Sequence, residues 1–145
     1  MNTPLRHLIA AACLLVGTLA FGAEGKVAGS AEESTKIAQA WLKLVDDGNY
    51  AQSWKEAASR FRASVTEEKW VGAMEQVRQP LGAANTRELA EATFSTELPR
   101  VPKGEYWVVK FKTGFEAAKA NELVTLTADA DGQWRVIGYF IRPAS

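Results

Sequence analysis

The sequence predicts an α+β domain in which three N-terminal helices pack on one face of a four-stranded antiparallel meander sheet. Three observations predict it. Apolar residues recur at helical spacing up to Pro80 and Gly82, and at a period of two beyond them. Turn-rich segments, 99–104 and 129–132, separate the apolar runs of the second half, and short connections favour antiparallel neighbours. The last run, 132–142, is filled with aromatic and β-branched residues suited to a pleated, half-buried surface.

The chain opens on a secretory signal pattern. Arg6 and the amino terminus supply the positive region, and 8–19 is an apolar run too short to span a bilayer. Ala20 and Gly22 satisfy the small-residue requirement for cleavage after Gly22; cleavage after Ala20 is the alternative. Cys13 lies within the apolar run, so lipoprotein processing there would leave the hydrophobic stretch too short. The expected organisation is a signal over 1–22, a Gly-, Ala- and Ser-containing flexible leader over 23–33 and one domain over 34–142. The expected address is the periplasm or the medium, with no stable membrane insertion once the signal is removed.

Removal of the signal takes with it the single cysteine and the single histidine, Cys13 and His7. What remains has no thiol or imidazole nucleophile, no histidine switch and no zinc or copper site of those ligands. Sixteen basic residues then face seventeen acidic ones, a balance with no electrostatic footprint for nucleic acid.

The first helix carries Ile37, Ala38, Trp41, Leu42 and Val45 on one face, with Ser34 or Ser30 as its N-cap and Gly48 as its stop. A short second helix begins near Asn49. Residues 59–64 read as a connector with Phe61 inward. Thr66 caps the third helix, whose stripe is Trp70, Val71, Met74 and Val77. A weak first strand alternates through Ala90, Ala92, Phe94 and Leu98. The second covers 106–115, with Trp107, Val109, Phe111 and Phe115 on one side and Lys110 and Lys112 on the other. The third covers 122–128. The fourth reads as apolar on both faces, Trp134, Val136 and Phe140 against Ile137, Tyr139 and Ile141, which predicts a central strand covered on both sides.

Chemistry-bearing candidates are few. Five tryptophans, Trp41, Trp54, Trp70, Trp107 and Trp134, are economical core fillers. Trp107, Trp134 and Tyr139 are the candidate ligand or partner surface, near a bend expected at Gly138. Asp46-Asp47 opposes the dipole of the first helix, and the simple reading is a polar turn with Lys43 offsetting Asp47. Asp129-Ala130-Asp131-Gly132 begins like a calcium loop but lacks its later ligands, so it reads as a hairpin turn. No acid falls convincingly on an inward face, and no catalytic, metal or cofactor residue is nominated.

The pattern carried by Trp41, Val45, Asp47, Gly48, Tyr50, Ser53 and Trp54, the later Trp70 and the closing Gly132 to Tyr139 segment resembles the bacterial DUF4019 family. That family comprises small exported proteins of unknown function. The resemblance covers about 34–142 and implies the NTF2-like (cystatin-like) α+β superfamily. That superfamily includes isomerases, dehydratases, binding proteins and dimerisation modules, so fold membership does not choose among them. The expectation is an exported non-enzymatic domain that binds a small apolar ligand or an envelope protein. The alternatives are a carboxylate- and tyrosine-based isomerase or lyase, and a structural module that forms a homodimer through the sheet.

Overall fold

A computed structural model describes residues 29–145, so the expected signal over 1–22 and most of the expected leader lie outside the described residues. Helix α1 (Ala31–Asp46) is capped by Ser30, whose side chain accepts the Glu33 backbone N–H at 3.0 Å. Ser34, the other candidate cap, is a turn further on and buried. The helix ends in a Schellman motif: Gly48 sits at φ 76°, its N–H donates to Val45, and the Asn49 N–H donates to Leu44 at 2.8 Å. Helix α2 (Tyr50–Lys55) follows, and Asn49 makes no side-chain cap to it.

The stretch read as a connector is a helix, α3 (Ser59–Ser64). Its cap comes from 70 residues away, where the Asp129 carboxylate accepts the Ser59 backbone N–H at 2.9 Å and the Ser59 hydroxyl. A cap so distant is invisible to local pattern. Helix α4 (Glu67–Arg78) is capped by Thr66 as its sequence predicts, and a 3-10 turn, Gln79–Leu81, closes the helical half.

Strands β1 (Ala84–Ser95), β2 (Tyr106–Phe115), β3 (Lys119–Ala128) and β4 (Trp134–Pro143) form one antiparallel sheet in the order β1-β2-β3-β4. The predicted α+β meander is therefore present, with the helices on one face. Two expectations for β4 are corrected. It is an edge strand, not a central one, and it is not covered on both sides. The cause is a bulge: Leu126 pairs with Val136 and Thr125 with Gly138, which leaves Ile137 over. The extra residue shifts the alternation, so Trp134 and Val136 before it and Tyr139 and Ile141 after it all face the helices. What looked like two apolar faces is one face read through a bulge, and Phe140 is left outside at 57% exposure.

The core lies between helices and sheet and joins Trp41, Leu42, Val45, Trp70 and Met74 to Val109, Phe111, Val124, Leu126, Val136 and Tyr139. Its indoles are satisfied: Trp41 donates to the Ser53 carbonyl and Trp70 to the Ser53 hydroxyl, both at 2.9 Å, and Trp54 donates to the Val65 carbonyl at 2.7 Å. On the other face the 96–105 segment folds over one end of the sheet, where the Tyr106 hydroxyl donates to the Pro102 carbonyl at 2.7 Å.

Candidate functional site

Two regions carry the chemistry. One is a charged cluster under the helices; the other is the outer face of the sheet.

The inner cluster is built from six elements, α1, α4 and all four strands. Glu122 stands on the same side of β3 as Val124 and Leu126 and is 1% exposed. One of its oxygens accepts from Arg87 Nε at 2.7 Å and from the Thr113 hydroxyl; the other accepts the Tyr139 hydroxyl at 2.5 Å. Arg78, at the end of α4, stands 3.8 Å from that second oxygen and donates to the Tyr139 hydroxyl at 3.3 Å. Asp46, at the end of α1, closes the ring: it accepts from Arg78 Nη2 at 2.7 Å and from both Arg87 terminal nitrogens at 2.7 and 3.0 Å. Two acids therefore meet two arginines, so the cluster is neutral in its fully ionised form. Arg78 also lies over the Phe115 ring, 4.9 Å from its centroid, and its Nε has no hydrogen bond among the described residues.

The electrostatics follow from this pairing. Burial works against the charge on Asp46, but the hydrogen bonds from Arg87 and Arg78 outweigh it and hold the carboxyl below its ordinary value. Burial likewise opposes the charge on Arg87, and the bonds to Asp46 and Glu122 overcome it and raise its pKa. The Tyr139 phenol is pushed well above its usual range, first by burial and then by the Glu122 charge, so it stays protonated and donates. Asp46 thus departs from the simple reading of its turn. Its neighbour Asp47 keeps to it and pairs with Lys43 at 2.9 Å.

The outer face contrasts with this. Cross-strand pairing sets two rows, Lys112–Asn121–Arg142 and Lys110–Leu123–Phe140. Lys110 pairs with Glu91 at 2.8 Å. Lys112, Asn121 and Arg142 make no side-chain hydrogen bond or ion pair with the described residues. A groove of about 520 Å³, lined by Thr86, Glu88, Lys112, Gly114, Lys119 and Asn121 among others, adjoins a smaller one of about 290 Å³ beside Lys110, Leu123, Phe140 and Arg142. Asn121 borders both. Gly114 lines the first groove, and a Cβ there would come to 2.6 Å from the Thr86 hydroxyl oxygen.

The three residues singled out from sequence do not lie on this face. Tyr139 is in the inner cluster, with its ring edge-on to Trp41 at 5.4 Å. Trp107 is 8% exposed and packs against Phe94 at 5.5 Å. Trp134 is half-buried and borders a groove with Ile37, Ala40 and Trp41. Trp107 and Trp134 do converge, because Gly29 (φ 57°) lies against both indole nitrogens: a Cβ there would be 3.5 and 3.4 Å away. Glu122, Arg78 and Arg87 carry no expectation from sequence, and Asp46 reads there as part of a polar turn. The parity of β3 carries the signal for Glu122, and the spacing Trp70, Met74, Arg78 carries that for Arg78. On α4 the buried stripe is turned by one position from the predicted one, with Val77 at 42% exposure.

Asp129 and Asp131 serve the turn. Arg135 pairs with both, at 3.3 and 2.7 Å, and its hydrogen bonds draw the Asp131 pKa down to about 2. Among the described residues no group of three or more His, Cys, Asp or Glu is placed to hold a metal, and no helix is long and apolar enough to cross a membrane.

Fold and cluster together define a class: a helix-covered antiparallel meander whose interior is tied by a neutral ring of ion pairs. The chain belongs to the DUF4019 family, described as a protein of unknown function, whose model matches residues 37–139. No curated protein matches the chain.

Proposed function

We propose that the protein is an exported, non-enzymatic binding domain of the cell envelope, and that it binds through the outer face of its sheet. The observation that carries this reading is Phe140, a large apolar side chain at 57% exposure in the middle of a strand, beside Leu123 and an open groove. A solvated sheet face has no structural need of it. Export is supported by the signal pattern in the first 22 residues.

The inner acid and tyrosine have the composition an isomerase of the NTF2-like kind would use. Their geometry speaks for a structural role. A general base needs a free lone pair within reach of substrate. Glu122 is buried and both its oxygens already accept hydrogen bonds from Arg87, Thr113 and Tyr139.

The experiment is native mass spectrometry of the mature domain purified from its own cell envelope. A mass lost on denaturation is the expected result and identifies the ligand. A bare dimer moves the outer face to self-association, while a bare monomer with measurable turnover of an enolisable substrate overturns the binding reading. A second reading, self-association, rests on the same Phe140 and is separated from the first by that mass.

A further inference from the structure

We infer that the occupant of the outer face is a small amphiphilic anion, a carboxylate on an apolar chain, with its head between Lys112 and Arg142 and its tail along Leu123 and Phe140. This rests on the binding reading above and names the ligand class for the same face. The register carries it. Lys112, Asn121 and Arg142 are direct partners across β2, β3 and β4, so the two cations stand about 10 Å apart with an amide between them. Lysine and arginine side chains are long enough to reach a head group seated above Asn121, whose amide offers an N–H donor as well. The next row on the same face lies about 7 Å along the strands and is apolar at Leu123 and Phe140.

Head and tail subsites are thus adjacent and in line. A carboxylate is the complement to two cations that make no ion pair with the described residues, and a charge-assisted bond is the strong kind. Lys119 adds a third positive charge to the larger groove. Glu88, opposite Lys112 on β1, is an acid on the same lining, and it forms no ion pair there. It limits the site to one negative head, because a multiply charged anion would meet it. The two volumes, about 520 and 290 Å³, suit a single short chain.

The test uses decanoate and its neutral counterpart decanol, below their aggregation limits, with the isotope-labelled mature domain. Amide shifts at Lys112, Asn121, Phe140 and Arg142 should report decanoate, with decanol weaker. Lys112→Ser with Arg142→Ser should weaken decanoate about tenfold or more and leave decanol unchanged. Equal binding of both ligands on this face overturns the anionic head while the binding face stands. Shifts on the outer face by neither ligand overturn the ligand class, and with a bare monomer in the mass spectrum they overturn the binding reading too. Binding to phosphatidylglycerol vesicles without any response to monomeric decanoate also overturns the small ligand.

Discussion

Tyr139 and Phe140 are neighbours on one strand and lie in opposite worlds. Tyr139 enters a ring where each charge has a partner of opposite sign, and it is 8% exposed. Phe140 stands in the open next to cations without partners among the described residues. Both regions combine acid, arginine and an aromatic, and the outer one adds lysines. What differs is saturation. A buried charge must be paired and hydrogen-bonded or it is costly, and in the inner cluster both acids are taken up by Arg78, Arg87, Thr113 and Tyr139. An exposed cation is hydrated and can exchange that water for a ligand. Perturbed titration inside a fold marks a candidate site, and paired, hydrogen-bonded geometry then argues for a fastening.

The comparison breaks first at Glu122. Glu122→Ala leaves Arg78 and Arg87 sharing one acid in a buried setting, and breaking such a pair costs about 3–5 kcal/mol. Urea unfolding should show the lowered midpoint, and a loss under 1 kcal/mol would mean the cluster is open to water. Asp46→Asn comes next, at about 1.5–3 kcal/mol for the charge-assisted bonds to both arginines. Its effect carries a pH signature. The folded carboxyl titrates below its ordinary value of 3.8, so its contribution is complete above that pH and is lost as pH falls through the lower folded value. The stability gap between wild type and Asp46→Asn should be flat from neutrality to about pH 4 and close below it. A gap that closes already at pH 6 would contradict the pairing.

Tyr139→Phe removes one hydroxyl and leaves Glu122 and Arg78 each short of a partner, a loss of about 1–3 kcal/mol by thermal unfolding. The smallest effect on stability is expected outside. Phe140→Ser should stay within about 0.5 kcal/mol of wild type, since the side chain is 57% exposed among the described residues, and a larger loss would show that the face is covered.

Much of the fold was legible because its signals are local. Ser30 and Thr66 cap as their positions suggest, Gly48 ends α1, and β2 runs over the residues its alternation picks out. The misreadings have one cause, information that is not local. Helix α3 takes its cap from Asp129, and β4 hides a bulge that only its partner strand defines. The inner cluster was half legible. Glu122 shares the parity of Val124 and Leu126 and could have been placed inward, but an acid at the presumed start of a strand reads as solvated. Arg87 shares its side of β1 with Leu89, but a bulge between Leu89 and Glu91 brings Ala92 and Phe94 to that side too, so simple alternation from Ala92 and Phe94 turns Arg87 outward. The outer rows needed the register between three strands, which no single segment contains.

Native mass spectrometry of envelope-purified Tyr139→Phe and Phe140→Ser, side by side with wild type, tests the division most directly. Phe140→Ser is expected to lose the bound mass with its unfolding midpoint unchanged, and Tyr139→Phe to keep the mass with a lowered midpoint. A folded Tyr139→Phe that has lost the mass, beside a Phe140→Ser that retains it, would place the site inside the cluster and contradict the account.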